Sequence, residues 1–147
     1  MVPEMKICRL DPAAILPTYA TAGSAGADLY ALPVGDPVVV NPGETAFLRT
    51  GLAAAIPAGY VGLIFARSGL ACKRGLAPAN KVGVIDSDYR GEWMIALHNH
   101  GDTPQIVNPG DRIAQFVLVP VLTPLMTEVD SLDETARGEG GFGSTGR

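Results

Sequence analysis

The apolar positions of this chain come in short bursts. Residues 5–10, 38–40, 45–48, 52–56 and 60–65 are β-prone runs, separated by Asn41-Pro42-Gly43, Thr50-Gly51 and Pro57-Ala58-Gly59. Turn signals recur about every eight to twelve residues, the spacing of a β-sandwich or barrel of many short strands. Further on, Trp93, Ile95 and Leu97 share one strand face, and Met94, Ala96 and His98 the other. Residues 113–121 are apolar on both faces except at Gln115. A strand apolar on both sides must be covered twice, and in a small antiparallel domain the second cover is another subunit. Residues 68–75 read as a helix of about two turns: Ser68 as N-cap, Lys73 and Arg74 in the last turn, Gly75 as terminator. The string Asn-Pro-Gly-acid occurs at 41–44 and again at 108–111, each time before an apolar strand, and is read as repeated turn chemistry.

The segment GVIDSDYRGEW, residues 83–93, organises the rest. An apolar run over residues 82–85 ends in Asp86, a turn-rich pentad follows, and residues 93–97 resume the apolar pattern, so the segment predicts a hairpin with Asp86 at its rim. A carboxylate at the end of a buried strand is fixed by packing and made more basic by desolvation, which suits a general base acting on water. By itself such an Asp also serves simply to start a turn. Asp28 is expected at a loop-to-strand junction, after an irregular approach over residues 12–27.

Composition narrows the classes. Eighteen glycines and 12 prolines make about a fifth of the 147 residues, against ~12% ordinarily, while 47% apolar residues exclude general disorder. The length suits one domain. A net charge of −4 gives no footprint for a nucleic-acid backbone, leaving room only for a local basic site. Cys8 and Cys72 lack metal-ligand spacing and are expected as reduced, partly buried thiols. His98 and His100, without a third partner, are expected as turn and surface residues. The N-terminus has no apolar h-region and residues 113–126 are too short and too broken by proline to span a bilayer, so a soluble, cytoplasmic protein without membrane contact is expected. The glycine-rich tail lacks the Lys of a Walker loop and no helix follows it, which excludes that class of ATPase. Phe142 stands alone there among residues that cannot pack it.

GVIDSDYRGEW resembles the third of five motifs of the trimeric deoxyuridine triphosphatases, and the other four stand in the same order: AGSAGADLYA (22–31), ARSGLA (66–71), GDRIAQFV (110–117) and RGEGGFGSTGR (137–147). Ala66 departs from the family, where proline is frequent, and is expected to alter only the local turn. The resemblance implies an all-β, dUTPase-like sandwich or barrel over residues 1–135, with residues 136–147 as a flexible arm that closes over the active site. It implies hydrolysis of dUTP to dUMP and pyrophosphate, which supplies dUMP for thymidylate synthesis and keeps uracil out of DNA. Asp86 would be the catalytic base. Arg67, Ser68, Gly69 and Gln115 would contact phosphates, aided by the N–H groups at the start of the helix. Gly83, Val84, Ile85 and Asp86 would lie along the nucleoside, Asn80 would add contacts to uracil, Tyr89 would pack on the deoxyribose and Met94 would border the pocket. Arg137, Phe142, Gly143 and Ser144 would act from the arm. Mg²⁺ would be held mainly by substrate phosphates and water, with Asp28 in an outer shell. The partners implied are dUTP and two further copies of the chain, in a homotrimer whose active sites are shared between subunits. A dCTP deaminase on the same fold, or a non-catalytic nucleotide sensor, are the rival readings; Asp86, Tyr89 and the full tail favour the triphosphatase.

Overall fold

A computed structural model describes residues 2–144 and 146. Eleven strands and one helix follow in order: β1 Lys6–Arg9, β2 Ala27–Tyr30, β3 Val38–Val40, β4 Thr45–Arg49, β5 Leu52–Ala55, β6 Tyr60–Phe65, α1 Ser68–Arg74, β7 Leu76–Pro78, β8 Gly83–Ile85, β9 Met94–Asn99, β10 Gln105–Val107 and β11 Arg112–Pro120. The sheets run β2-β11-β6-β8, β4-β9-β7, β1-β5 and β10-β3. Every pairing between strands is antiparallel. Leu29, Ile64, Ile85, Ile113 and Phe116 from the four-stranded sheet share one core with Leu48, Leu76, Ile95 and Leu97 from the three-stranded sheet, so the architecture is a sandwich. Trp93 bridges them, stacking on Phe116 with ring centroids 4.9 Å apart.

The two Asn-Pro-Gly-acid turns repeat the same main-chain geometry and capping bond. Gly43 and Gly110 take φ of 80° and 82°, Glu44 and Asp111 donate their N–H to Asn41 and Asn108 carbonyls at 3.0 and 3.1 Å, and each acid's carboxylate accepts the N–H of its asparagine, at 3.2 and 2.8 Å. Positive φ at the third position is what demands glycine there. Gly62 of β6 meets a different need: a Cβ there would stand 2.7 Å from the Phe116 ring and 3.2 Å from the Ile85 Cβ. Gly62→Ala is therefore expected to destabilise the fold by about 1–3 kcal/mol through overpacking, read as a lower denaturation midpoint; an unchanged midpoint would show that the core can yield there.

Several expectations need correction. Residues 83–97 do not form a hairpin: β8 pairs with β6, whereas β9 pairs with β4 and β7. The cause is the anchoring of Trp93, whose N–H goes to the Leu52 carbonyl at 2.8 Å and whose carbonyl takes the Thr50 hydroxyl at 2.7 Å, which draws β9 into the other sheet. Ser68 is not the N-cap. Arg67 is, in extended conformation and without a side-chain cap; the C-terminus is as expected, with Gly75 at φ 66° donating to the Ala71 carbonyl. Asp28 lies inside β2 and is 9% exposed. Cys8 and Cys72 are free but exposed, because each falls on a solvent face of its element. His98 sits in β9 and meets the Thr45 hydroxyl at 3.0 Å, while His100 is exposed. Strands β7 and β10 escaped the reading, since three-residue stretches such as Leu-Ala-Pro and Gln-Ile-Val lack the unbroken branched run that marks Val38–Val40. Among the described residues no helix is long and apolar enough to cross a membrane.

Beyond β11 the described residues form no further strand, and Leu122, Leu125, Met126 and Leu132 are all exposed.

Candidate active site

Two clefts collect the predicted residues. The first, of about 240 Å³, is lined by Asn80, Gly83, Val84, Ile85, Asp86, Tyr89, Glu92, Trp93 and Met94, with Ile64 at its base. Its floor is β8, where alternation sends Gly83 and Ile85 into the core and leaves Val84 63% exposed. Asp86 continues the outer face. It is exposed, not desolvated as its place after a buried strand suggested, and its carboxylate has no hydrogen-bond partner among the described residues. A tight turn precedes the floor: Lys81 takes φ 67° and the Val82 N–H reaches the Asn80 carbonyl at 2.7 Å, which sets Asn80 at the rim. On the other wall the Tyr89 hydroxyl donates to the Glu92 carbonyl at 3.0 Å. Its ring lies over Gly91, where a Cβ would come within 2.4 Å of that hydroxyl.

The second cleft, of about 330 Å³, is lined by Ala20, Ser24, Ala25, Gly26, Asp28, Arg67, Ser68, Gly69 and Gln115. Asp28 accepts Arg67 Nε at 2.8 Å on one oxygen and Arg112 Nη1 at 3.3 Å on the other. Two guanidinium groups against one carboxylate leave local positive charge, and the largely buried Asp28 orients both forks. Gln115, half-buried, donates Nε2 to the Ala66 carbonyl at 2.8 Å, the structural bond that an amide shielded from water requires. Its other end presses on Gly26, where a Cβ would lie 2.4 Å from Oε1. Ser68 and Gly69 are exposed at the start of α1, and because no side chain caps that helix its first N–H groups are left for a ligand. With both Asp28 oxygens taken by arginines, and with no group of three His, Cys, Asp or Glu among the described residues, a cation would have to bring most of its own ligands.

No residue lines both clefts, so the chain does not bring Asp86 and Tyr89 together with Arg67, Ser68, Gly69 and Gln115. The arm residues join neither. Arg137 Nε bonds back to the Gly140 carbonyl at 2.8 Å, Phe142 is fully exposed with φ 51°, Gly143 has φ 87°, and the Ser144 N–H returns to Gly141. Thr145 and Arg147 of the fifth motif lie outside the described residues. Three contributors went unassigned in the sequence: Arg112, although it stands within GDRIAQFV, and the pair Arg49 and Glu92. Arg49 donates Nε to both Glu92 oxygens at 3.2 and 3.1 Å and Nη2 at 3.1 Å. These hydrogen bonds first, and the carboxylate's charge second, raise the Arg49 pKa above its ordinary value. Nothing local marks residues 49 and 92 as partners.

Comparison with known proteins places the chain in a family. The model of the family described as dUTPase matches residues 13–146. The chain is 51% identical over 142 residues to a deoxyuridine 5'-triphosphate nucleotidohydrolase of Syntrophotalea carbinolica, covering 97% of this chain and 96% of that one. It is 54% identical over 139 residues to the protein of the same name from Desulfitobacterium hafniense, covering 94% and 91%. Among solved structures, a Staphylococcus bacteriophage 80alpha dUTPase variant with dUpNHpp superposes with a TM-score of 0.90 at 29% identity, covering 99% of this chain and 100% of that one. A dUTPase variant from phage phi11 of S. aureus, described as revealing the coordination of a structural Mg(II) ion, superposes with a TM-score of 0.78 at 28% identity, covering 88% and 98%. A match of the family model over nearly the whole chain, with relatives at half identity end to end, means that the chain belongs to the dUTPase family.

Proposed function

We propose that this protein hydrolyses dUTP to dUMP and pyrophosphate, with Asp86 as the base that activates water. The observation that carries the reading is the Asp86 carboxylate, without a hydrogen-bond partner among the described residues at the rim of a cleft floored by β8, in a chain of this family. Water attacks the α-phosphorus as its proton passes to Asp86; a new phosphorus–oxygen bond forms and the bond to the pyrophosphate oxygen breaks in line. The main chain along the unpaired edge of β8 and the Asn80 side chain read the uracil, with Val84 along the nucleoside and Met94 at the border. The phosphates lie against Arg67, the Ser68 hydroxyl, the Gly69 N–H and Gln115, where the Asp28 ion pairs hold the cationic wall in place. When bound with the triphosphate, Mg²⁺ neutralises phosphate charge and stabilises the departing pyrophosphate. Asp28, already saturated by two arginines, suits an outer-shell contact through water. The cellular result is a supply of dUMP for thymidylate synthesis and the exclusion of uracil from DNA.

The separation of the two clefts supports a site shared between subunits of a homotrimer, with the Asp86 cleft of one chain facing the Arg67 cleft of another. The exposed apolar residues past β11 point the same way, since side chains such as Leu122 and Leu125 find no cover among the described residues. Residues 136–147 then act as an arm from a further subunit, with Phe142 stacking on the bound base. Incubation with dUTP and with dCTP tests the reading. dUMP plus pyrophosphate supports it; ammonia from dCTP would make the protein a deaminase, and no turnover would make it a sensor.

Tyr89 is placed to exclude a 2′-hydroxyl by filling the space beside C2′ and offering it no partner. Tyr89→Ala is expected to lower the ratio of kcat/KM for dUTP over UTP by about 10- to 100-fold. An unchanged ratio would put sugar selection elsewhere.

A further inference from the structure

The position of Tyr89 depends on a segment with few ties to the rest of the molecule. Its ring is supported by Gly91 and by the Glu92 carbonyl, both within the segment itself. Arg90 donates Nη1 to the Ser87 and Tyr89 carbonyls at 2.8 and 3.0 Å, and borders a cleft over β1 and β5 without a hydrogen bond to them. Of the side-chain hydrogen bonds made by residues 87–92 among the described residues, only that of Glu92 leaves the segment, and it goes to Arg49 on β4. At its far end the segment enters Trp93, which is anchored to Leu52 and Thr50. Arg49 stands opposite Met94 in the β4/β9 register, so its fork reaches Glu92 from rigid strand backbone at the border of the first cleft. Three contacts between a planar guanidinium and one carboxylate fix direction as well as distance, which a lysine cannot do.

We infer that Arg49 is a positioning residue for sugar selection: through Glu92 it holds the segment that sets Tyr89 against the cleft, and so sharpens the preference for a 2′-deoxy sugar. The inference rests on the dUTP reading above. The Arg49 side chain is 52% exposed and that of Glu92 18%, so the pair lies at the surface with its carboxylate half-covered, and an ion pair still open to solvent on the arginine side adds only modestly to global stability. Its loss should therefore move Tyr89 without unfolding the protein.

The test is a double-mutant cycle on the full-length oligomer, with kcat and KM measured for dUTP and UTP in the wild type, Arg49→Met, Glu92→Gln and the double variant. Each single change is expected to lower the dUTP over UTP ratio of kcat/KM by about three- to tenfold, mainly through KM for dUTP, and the double variant should fall no further than the worse single. Because the two nucleotides carry the same triphosphate, phosphate electrostatics cancel in the ratio. Raising salt should thus erode the ratio in the wild type and leave it flat in Arg49→Met. A ratio within twofold of wild type in folded Arg49→Met, or single effects that multiply in the double variant, would overturn the inference. Should Arg49→Met fail to fold, Arg49→Lys and the salt series of the wild type decide, a salt-independent wild-type ratio counting against it. An active wild type with unaffected variants sinks this inference alone, whereas an inert wild type sinks the dUTP reading and this inference with it.

Discussion

Asp86→Asn is expected to lower kcat for dUTP by about 10²- to 10⁴-fold, the contribution of a positioned general base, while dUTP still binds. The amide keeps the shape of the carboxylate and cannot accept the proton of the attacking water. The fold should be untouched, because the Asp86 side chain is exposed and makes no hydrogen bond among the described residues, and because the residue holding the strand end in the core is its neighbour, Ile85. The Asp86 carbonyl, which accepts the Tyr89 N–H at 3.2 Å, is unaltered by the substitution. Steady-state turnover and direct titration of dUTP separate the two effects. Hydrolysis within about tenfold of wild type would remove Asp86 from the role of base.

Equal effect is expected from removing the arm, and the two losses together reveal how the site is divided. The described residues of the arm, 136–144 and 146, add nothing to the core: Phe142 is 114% exposed and the hydrogen bonds of Arg137 and Ser144 close within the tail. Deleting them should leave the oligomer intact and cripple turnover, since the closed, water-excluding site cannot form. When Asp86→Asn chains and arm-deleted chains are refolded together in equal amounts, a shared site needs an intact Asp86 from one chain and an intact arm from another. Random assembly satisfies each condition half of the time, so about a quarter of sites should recover. If a single chain supplied both elements, every chain would lack one and mixing would restore nothing. A mixture no more active than its parents, with mixed oligomers confirmed by mass, would disprove the shared arrangement.

Much of the fold was legible because it is written within a few residues. Period-two runs set β6 at Tyr60–Phe65 and the burial alternation of β9, Gly75 ended α1 by taking a positive φ, and the two Asn-Pro-Gly-acid turns carried their own capping carboxylate. The five motifs in order named the family and its candidate residues. What the sequence could not determine is which distant groups satisfy one another. The partner of β8 was decided by where Trp93 finds its hydrogen bonds, and those lie at Thr50 and Leu52, some forty residues away in the chain. Likewise Asp28 reads in sequence as a loop-to-strand junction, and only the folded sheet sets it between Arg67 and Arg112, 39 and 84 residues distant. The split of the candidate residues into two clefts, and the Arg49 fork on Glu92, are consequences of sheet pairing. Local propensity sees caps, turns and periods; burial and long-range electrostatics exist only once strands have chosen their neighbours.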